Sequence, residues 1–168
     1  MNYLRVLRRR GYSCWPRPED DPAEPHPEVV QDFVGRDLSF FAVDSQRDID
    51  TMVLGFSCGR ARPDHLNYVL IPAEVLQSEG LEALPAPDRC DLPFRKVKEA
   101  HREVKEVTED TARRILSALA TLSVAPVQVR QRDLRGLAAR AYHEGWPEIE
   151  AEEWCKVPRW LLDDPDRR

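Results

Sequence analysis

Between Leu38 and Gln77 the chain sets out an order of elements that few folds accommodate: apolar run, amphipathic stretch, apolar run, amphipathic stretch. Leu38-Ser39-Phe40-Phe41-Ala42-Val43 is short, aromatic and bounded by Asp37 and Asp44, the pattern of a buried strand. Asp44 or Ser45 then offers an oxygen to open backbone amides, and Ile49, Met52, Val53 and Phe56 recur at intervals of 3, 4 and 7 residues. A helix from about Gln46 to Ser57 is predicted, with Gly59 at its stop. Pro63-Asp64 turns the chain into a second strand, Leu66 to Ile71, and Pro72 suits the first position of a further helix that carries Val75 and Leu76 and stops at Gly80. If the two strands are parallel neighbours, the crossover between them is right-handed. The expected fold is an α+β domain over residues 1–168, with a small mixed sheet of three or four strands covered by helices and a mainly helical C-terminal half.

The flanking sequence is less regular. Tyr3, Leu4, Val6 and Leu7 predict a helix from about Asn2 to Arg10, stopped by Gly11, and Tyr12 to Trp15 a brief strand. From Pro16 to Pro27 five prolines alternate with acids, a composition that extends the backbone into an exposed loop. Leu81 to Pro93 forms a connection. Val97, Ala100, Val104 and Val107 predict one amphipathic helix, and Ala112, Ile115, Leu116, Leu119 and Leu122 a stronger one. Pro126 to Arg130 is a further strand candidate, and a helix through Leu134, Leu137, Ala138 and Tyr142 ends at Gly145. Pro147 opens another helical segment, and Asp163-Asp164-Pro165-Asp166 follows it.

Length and charge narrow the function classes. A chain of 168 residues can bury a core without metals or cross-links. No apolar run approaches the roughly 20 residues that span a bilayer, and Met1 to Arg10 lacks the apolar core of an export signal. Cysteines at 14, 58, 90 and 155 are far apart and form no CxxC pair, which argues for reduced thiols in a cytoplasmic setting and against a zinc site. No cofactor or metal is expected. The net charge of −5 disfavours general attraction to nucleic acid.

Gly55-Phe56-Ser57-Cys58-Gly59 matches G-x-S-x-G, in which a strand-to-helix turn exposes a serine nucleophile. A resemblance to the α/β-hydrolases would make Ser57 that nucleophile, with Asp88 or Asp91 and His101 or His143 completing a triad. Pro63 leaves no room for the long helix that follows such an elbow, so the glycines are better read as punctuation at a helix end. Pro87-Asp88 with Glu103-Val104-Lys105 resembles the PD-(D/E)xK nucleases, whose acids converge on magnesium beside a lysine. That fold needs the second element on a strand, whereas Arg95 to Glu106 has the charge spacing of a solvated helix face.

Two charged segments suggest binding instead. Arg5, Arg8, Arg9 and Arg10, with Tyr3, Tyr12 and Trp15 nearby, could contact phosphates and stack on bases, although in an acidic protein a solvated helix face, or pairing with the chain's own acidic loop, is the better reading. From Glu144 to Trp160 five glutamates interleave with Trp146, Trp154 and Trp160, and Glu148, Glu152, Trp154 and Trp160 are the candidate contacts to a partner. The expected function is that of a small interaction protein, most concretely an immunity or antitoxin-like inhibitor of a basic protein. Hydrolysis around Ser57, or around Asp88, Glu103 and Lys105, is the alternative, and a nucleic-acid accessory role the second alternative.

Overall fold

Six strands form one sheet: β1 (Asn2–Leu7), β2 (Leu38–Val43), β3 (His65–Pro72), β4 (Ala83–Pro85), β5 (His101–Val104) and β6 (Val127–Arg130), in the order β4-β5-β2-β1-β3-β6. The computed structural model describes residues 1–16, 24–59 and 64–162. Every pairing is antiparallel, so the expectation of a mixed sheet of three or four strands is corrected to an antiparallel sheet of six. Helices α1 (Arg9–Ser13), α2 (Pro27–Phe33), α3 (Gln46–Cys58), α4 (Ala73–Ser78), α5 (Arg95–Ala100), α6 (Glu109–Thr121), α7 (Gln131–Glu144) and α8 (Arg159–Leu162) complete the α+β architecture. None of the described helices is long and apolar enough to cross a membrane.

The expected helix from Asn2 to Arg10 is instead the strand β1, and the expected strand at Tyr12–Trp15 overlaps α1. The reason is position. β1 lies inside the sheet, with Tyr3 and Leu7 in one apolar cluster and Leu4 in the other, so both faces of the strand are buried and the usual polar alternation is lost. β1 pairs with β2 through Tyr3↔Ala42 and with β3 through Tyr3↔Ile71. It therefore separates the two strands of the Leu38–Gln77 stretch, which run parallel to each other without being neighbours.

The same confusion of periods affects Val97 to Val107. The predicted single helix breaks at His101, where β5 begins. Val97 and Ala100 pack on one side of the sheet, while Val104 and Val107 pack on the other. An apparently helical spacing thus spans two elements on opposite faces. The C-terminal half is helix-rich as expected, yet it also contributes β5 and β6, and the Leu81–Pro93 connection contains β4 and a 3-10 turn at Pro87–Arg89. The expected loop ends early: Pro27 opens α2, where its missing amide costs nothing, and His26 Nδ1 accepts from the Glu28 amide at 3.2 Å. Residues 17–23, Pro63 and 163–166 lie outside the described residues.

Helices cover both faces. One cluster joins Leu4, Phe41, Leu66 and Tyr68 of the sheet to α3, α5, α7 and α8; the other joins Phe40, Val69 and Ile71 to α2, α4 and α6. α3 falls where the sequence places it. Ser45 Oγ accepts from the Asp48 amide at 3.1 Å, and Asp48 Oδ2 accepts from the Ser45 amide at 3.1 Å, a reciprocal cap. Burial pushes the Asp48 carboxyl up, but hydrogen bonds from Ser45 and Asp44 and the nearby Lys96 outweigh it and hold the group below the ordinary carboxyl value.

Candidate functional site

The G-x-S-x-G pentapeptide is a packing device. Ser57 is fully buried within α3, and its hydroxyl donates to the Val53 carbonyl at 2.8 Å. A Cβ on Gly55 would stand 2.9 Å from Val97 Cγ2, and one on Gly59 would stand 3.0 Å from Leu92 Cδ2, so both glycines admit the segment that carries α5. A nucleophile needs exposure and a base within reach. Ser57 has neither: buried His101 places Nδ1 2.7 Å from the Ala86 carbonyl, and His143 stands on the exposed end of α7. Burial also pushes the neighbouring Cys58 thiol up to about 12. Asp88 and Asp91 are exposed and make no hydrogen bond to either histidine.

Glu103 is corrected in the other direction. It lies on strand β5, the setting the nuclease pattern requires, rather than on a helix face. Its carboxylate, however, is buried and accepts from Arg89 Nη1 at 2.9 Å, and the same guanidinium reaches Asp37 at 3.3 Å. Lys105 is exposed beyond the strand. Among the described residues no three His, Cys, Asp or Glu side chains group to hold a metal ion. Arg89 occupies the charge that a cation would otherwise neutralise.

Of the four arginines of the basic N-terminus only Arg5 is turned inward, while Arg8, Arg9 and Arg10 are exposed. Arg5 donates from Nη2 to the Asp32 carbonyl at 2.6 Å and from Nη1 to the Ser39 carbonyl at 2.7 Å, with its guanidinium 5.2 Å from the Phe40 ring. Burial lowers its pKa to about 10, Asp32 raising it and Arg8 lowering it further. Arg8 donates its backbone amide to Asp32 Oδ2 at 3.1 Å and places Nε 3.3 Å from Oδ1. Gly11 has no side chain for a reason: a Cβ there would overlap the Asp32 carboxylate. Arg10 pairs with Glu28 at 3.2 Å, whereas Arg5 donates to backbone carbonyls alone and Arg9 has no hydrogen-bond or ion-pair partner among the described residues.

At the other end, the glutamates divide into two sets. Glu144 accepts from the Trp146 indole at 2.8 Å and lies 3.5 Å from Arg47, whose guanidinium sits 3.9 Å from the Trp146 ring centroid. Glu153 is buried and accepts from the Arg95 amide at 2.7 Å, supplying the start of α5 with the acceptor its own N-cap lacks. Glu150 pairs with the Arg95 side chain at 2.8 Å. These three fasten the C-terminal segment to α3 and α5. Glu148 and Glu152 are left over: one Glu148 carboxylate oxygen is buried with no hydrogen-bond partner, and the Glu152 carboxylate is exposed.

Trp146 is buried, whereas Trp154 and Trp160 are partly exposed while packing against the core. Trp154 meets Tyr142 edge to face at 5.1 Å, and Tyr142 is 55% exposed, so an aromatic pair continues out to the surface beside the unengaged carboxylates. The helix α7 runs through Tyr142 as its spacing predicts, with Ala141 beside it buried.

Sequence reasoning also missed a cleft of about 520 Å³ between α3, β3, β6 and α7, lined by Asp50, Tyr68, Arg132, Asp133, Gly136 and Arg140 together with Val53, Val129 and Leu137. Its signal in the sequence is a glycine inside a helical pattern with arginines four residues to either side, at 132 and 140. No protein-family model, curated protein or solved structure matches the chain.

Proposed function

We propose that the chain is a non-enzymatic interaction protein that docks a basic protein partner on its C-terminal face, in the manner of an immunity or antitoxin-like inhibitor. The observation that carries this reading is the pair Glu148 and Glu152, which remain unengaged in a segment whose other glutamates are consumed by internal contacts. Among the described residues no cation pairs with either carboxylate, and the exposed Glu152 together with the open part of the half-buried Glu148 can pair with a partner's lysine or arginine. Trp154, Tyr142 and the exposed edge of Trp160 supply apolar area beside these charges. Cys14, Cys58, Cys90 and Cys155 are all free thiols, in keeping with the reducing, cytoplasmic location we assign.

The test compares the chain with a Glu148→Lys/Glu152→Lys variant. Each is used to capture proteins from its host, and any partner is purified and titrated at low and high salt. The expected result is one basic protein bound in stoichiometric amount, inhibited by the chain, released by salt and not held by the charge-reversed variant. A partner bound equally by both forms would overturn the reading, as would capture of none.

A further inference from the structure

Each glycine of the chain except one has a structural reason. Gly35, Gly80 and Gly145 have positive φ, and at Gly11, Gly55 and Gly59 a Cβ would press on a neighbour. Gly136 has neither reason: it lies within α7, and a Cβ built on it meets nothing within 4 Å among the described residues. Glycine inside a helix is unfavourable relative to alanine, because it loses more backbone freedom on folding. Its one structural consequence here is an open wall in the cleft between α3 and α7.

The charges around this opening are also unevenly used. Asp50 is saturated, accepting from Gln46 Nε2 at 2.7 Å and from Arg140 Nη2 at 2.9 Å. Arg140 is further fixed by the Trp146 ring, 5.6 Å away. Arg132 and Asp133, in contrast, have no hydrogen-bond or ion-pair partner among the described residues, although both line the cleft. One free cation and one free anion therefore stand side by side on the first turn of α7. Beneath them Val53, Val129 and Leu137 offer an apolar surface. Burial, with Asp50 adding to it, raises the Tyr68 hydroxyl above its ordinary value, so it remains a neutral donor at the cleft wall.

We propose that this cleft binds a free amino acid with an apolar side chain: its carboxylate on Arg132, its ammonium on Asp133, and its side chain over Gly136 against Val53, Val129 and Leu137. The four lining charges cancel, which suits a zwitterion better than a simple anion or cation. The volume falls in the range of small-molecule sites. This site is independent of the docking face, and either can fail without the other.

Calorimetric titration of the intact chain with L-phenylalanine and L-leucine, and with 3-phenylpropionate and phenethylamine as single-charge analogues, tests the assignment. Saturable binding of at least one amino acid is expected, with each analogue about tenfold or more weaker. Gly136→Leu should abolish binding without lowering the melting temperature, and Arg132→Gln and Asp133→Asn should each weaken it about tenfold. Absence of saturation by both amino acids overturns the proposal. So does equal binding of an analogue, or binding by Gly136→Leu at the original affinity.

Discussion

α3 and α7 both lie on the same face of the sheet and both carry a glycine within the helix, but the two glycines answer to different demands. The space that Gly55 leaves is filled by Val97, which approaches to what would be 2.9 Å of a Cβ. The space at Gly136 is not filled by any of the described residues. The helix starts differ as well: α3 opens on the reciprocal Ser45–Asp48 cap, whereas Arg130 gives α7 no side-chain cap. A glycine that packing requires shows where the core is tight, and one that packing does not require shows where the molecule keeps room.

That contrast can be broken most directly at Gly55. Gly55→Leu forces a side chain into the contact between α3 and α5, and urea unfolding should show a loss of about 3 kcal/mol. Unchanged stability would mean that α5 does not press on α3. Gly136→Ala should move the other way, raising stability by roughly 1 kcal/mol through helix propensity alone. A loss there would reveal a packing demand and remove the distinction between the two glycines.

The capping difference predicts a pH response. Asp48 has its folded pKa below the ordinary carboxyl value, so its contribution is complete above the unfolded pKa and is lost as pH falls through the folded one. Asp48→Ala should cost about 1 kcal/mol at neutral pH, and the gap from the parent chain should close in acid. A gap independent of pH would assign the effect to something other than the carboxylate. The smallest effect is expected at Ser57. Ser57→Ala removes one buried hydroxyl bond to Val53 and should cost about 0.5 kcal/mol. An alkyl fluorophosphonate should leave Ser57 unlabelled in the native chain, since its hydroxyl is enclosed, and labelling would restore the nucleophile reading.

The charged ends extend the lesson. Both read in the sequence as binding surfaces, yet Arg5, Arg8 and Arg10 converge on Asp32, Ser39 and Glu28, while Glu144, Glu150 and Glu153 fasten their own segment to α3 and α5. Asp32 shows how far this goes. Burial raises its carboxyl above the ordinary value, against the opposing pull of the Arg8 amide, Arg8 and Arg5. A carboxylate so placed orders the first turn of the chain rather than serving a ligand. Glu148 and Glu152 emerge as the unengaged pair only after the others are subtracted, a subtraction that local sequence does not permit.

Local chemistry alone determined the Leu38–Val43 strand, the Ser45 cap, the helix that follows it and the strand through Leu66–Ile71, because each rests on neighbours a few residues away. Tertiary structure decided that Asn2–Leu7 is an interior strand, that Val97–Val107 divides between two faces of the sheet, and that Ser57 is enclosed. The deciding partners are remote in the chain: β1 is specified by pairing with both β2 and β3, and the break at His101 by the pairing of β5 with β2. The cleft at Gly136 belongs to the same class. Its walls come from α3, β3, β6 and α7, and the absence of a side chain at one position acquires meaning only when nothing from the other three fills it.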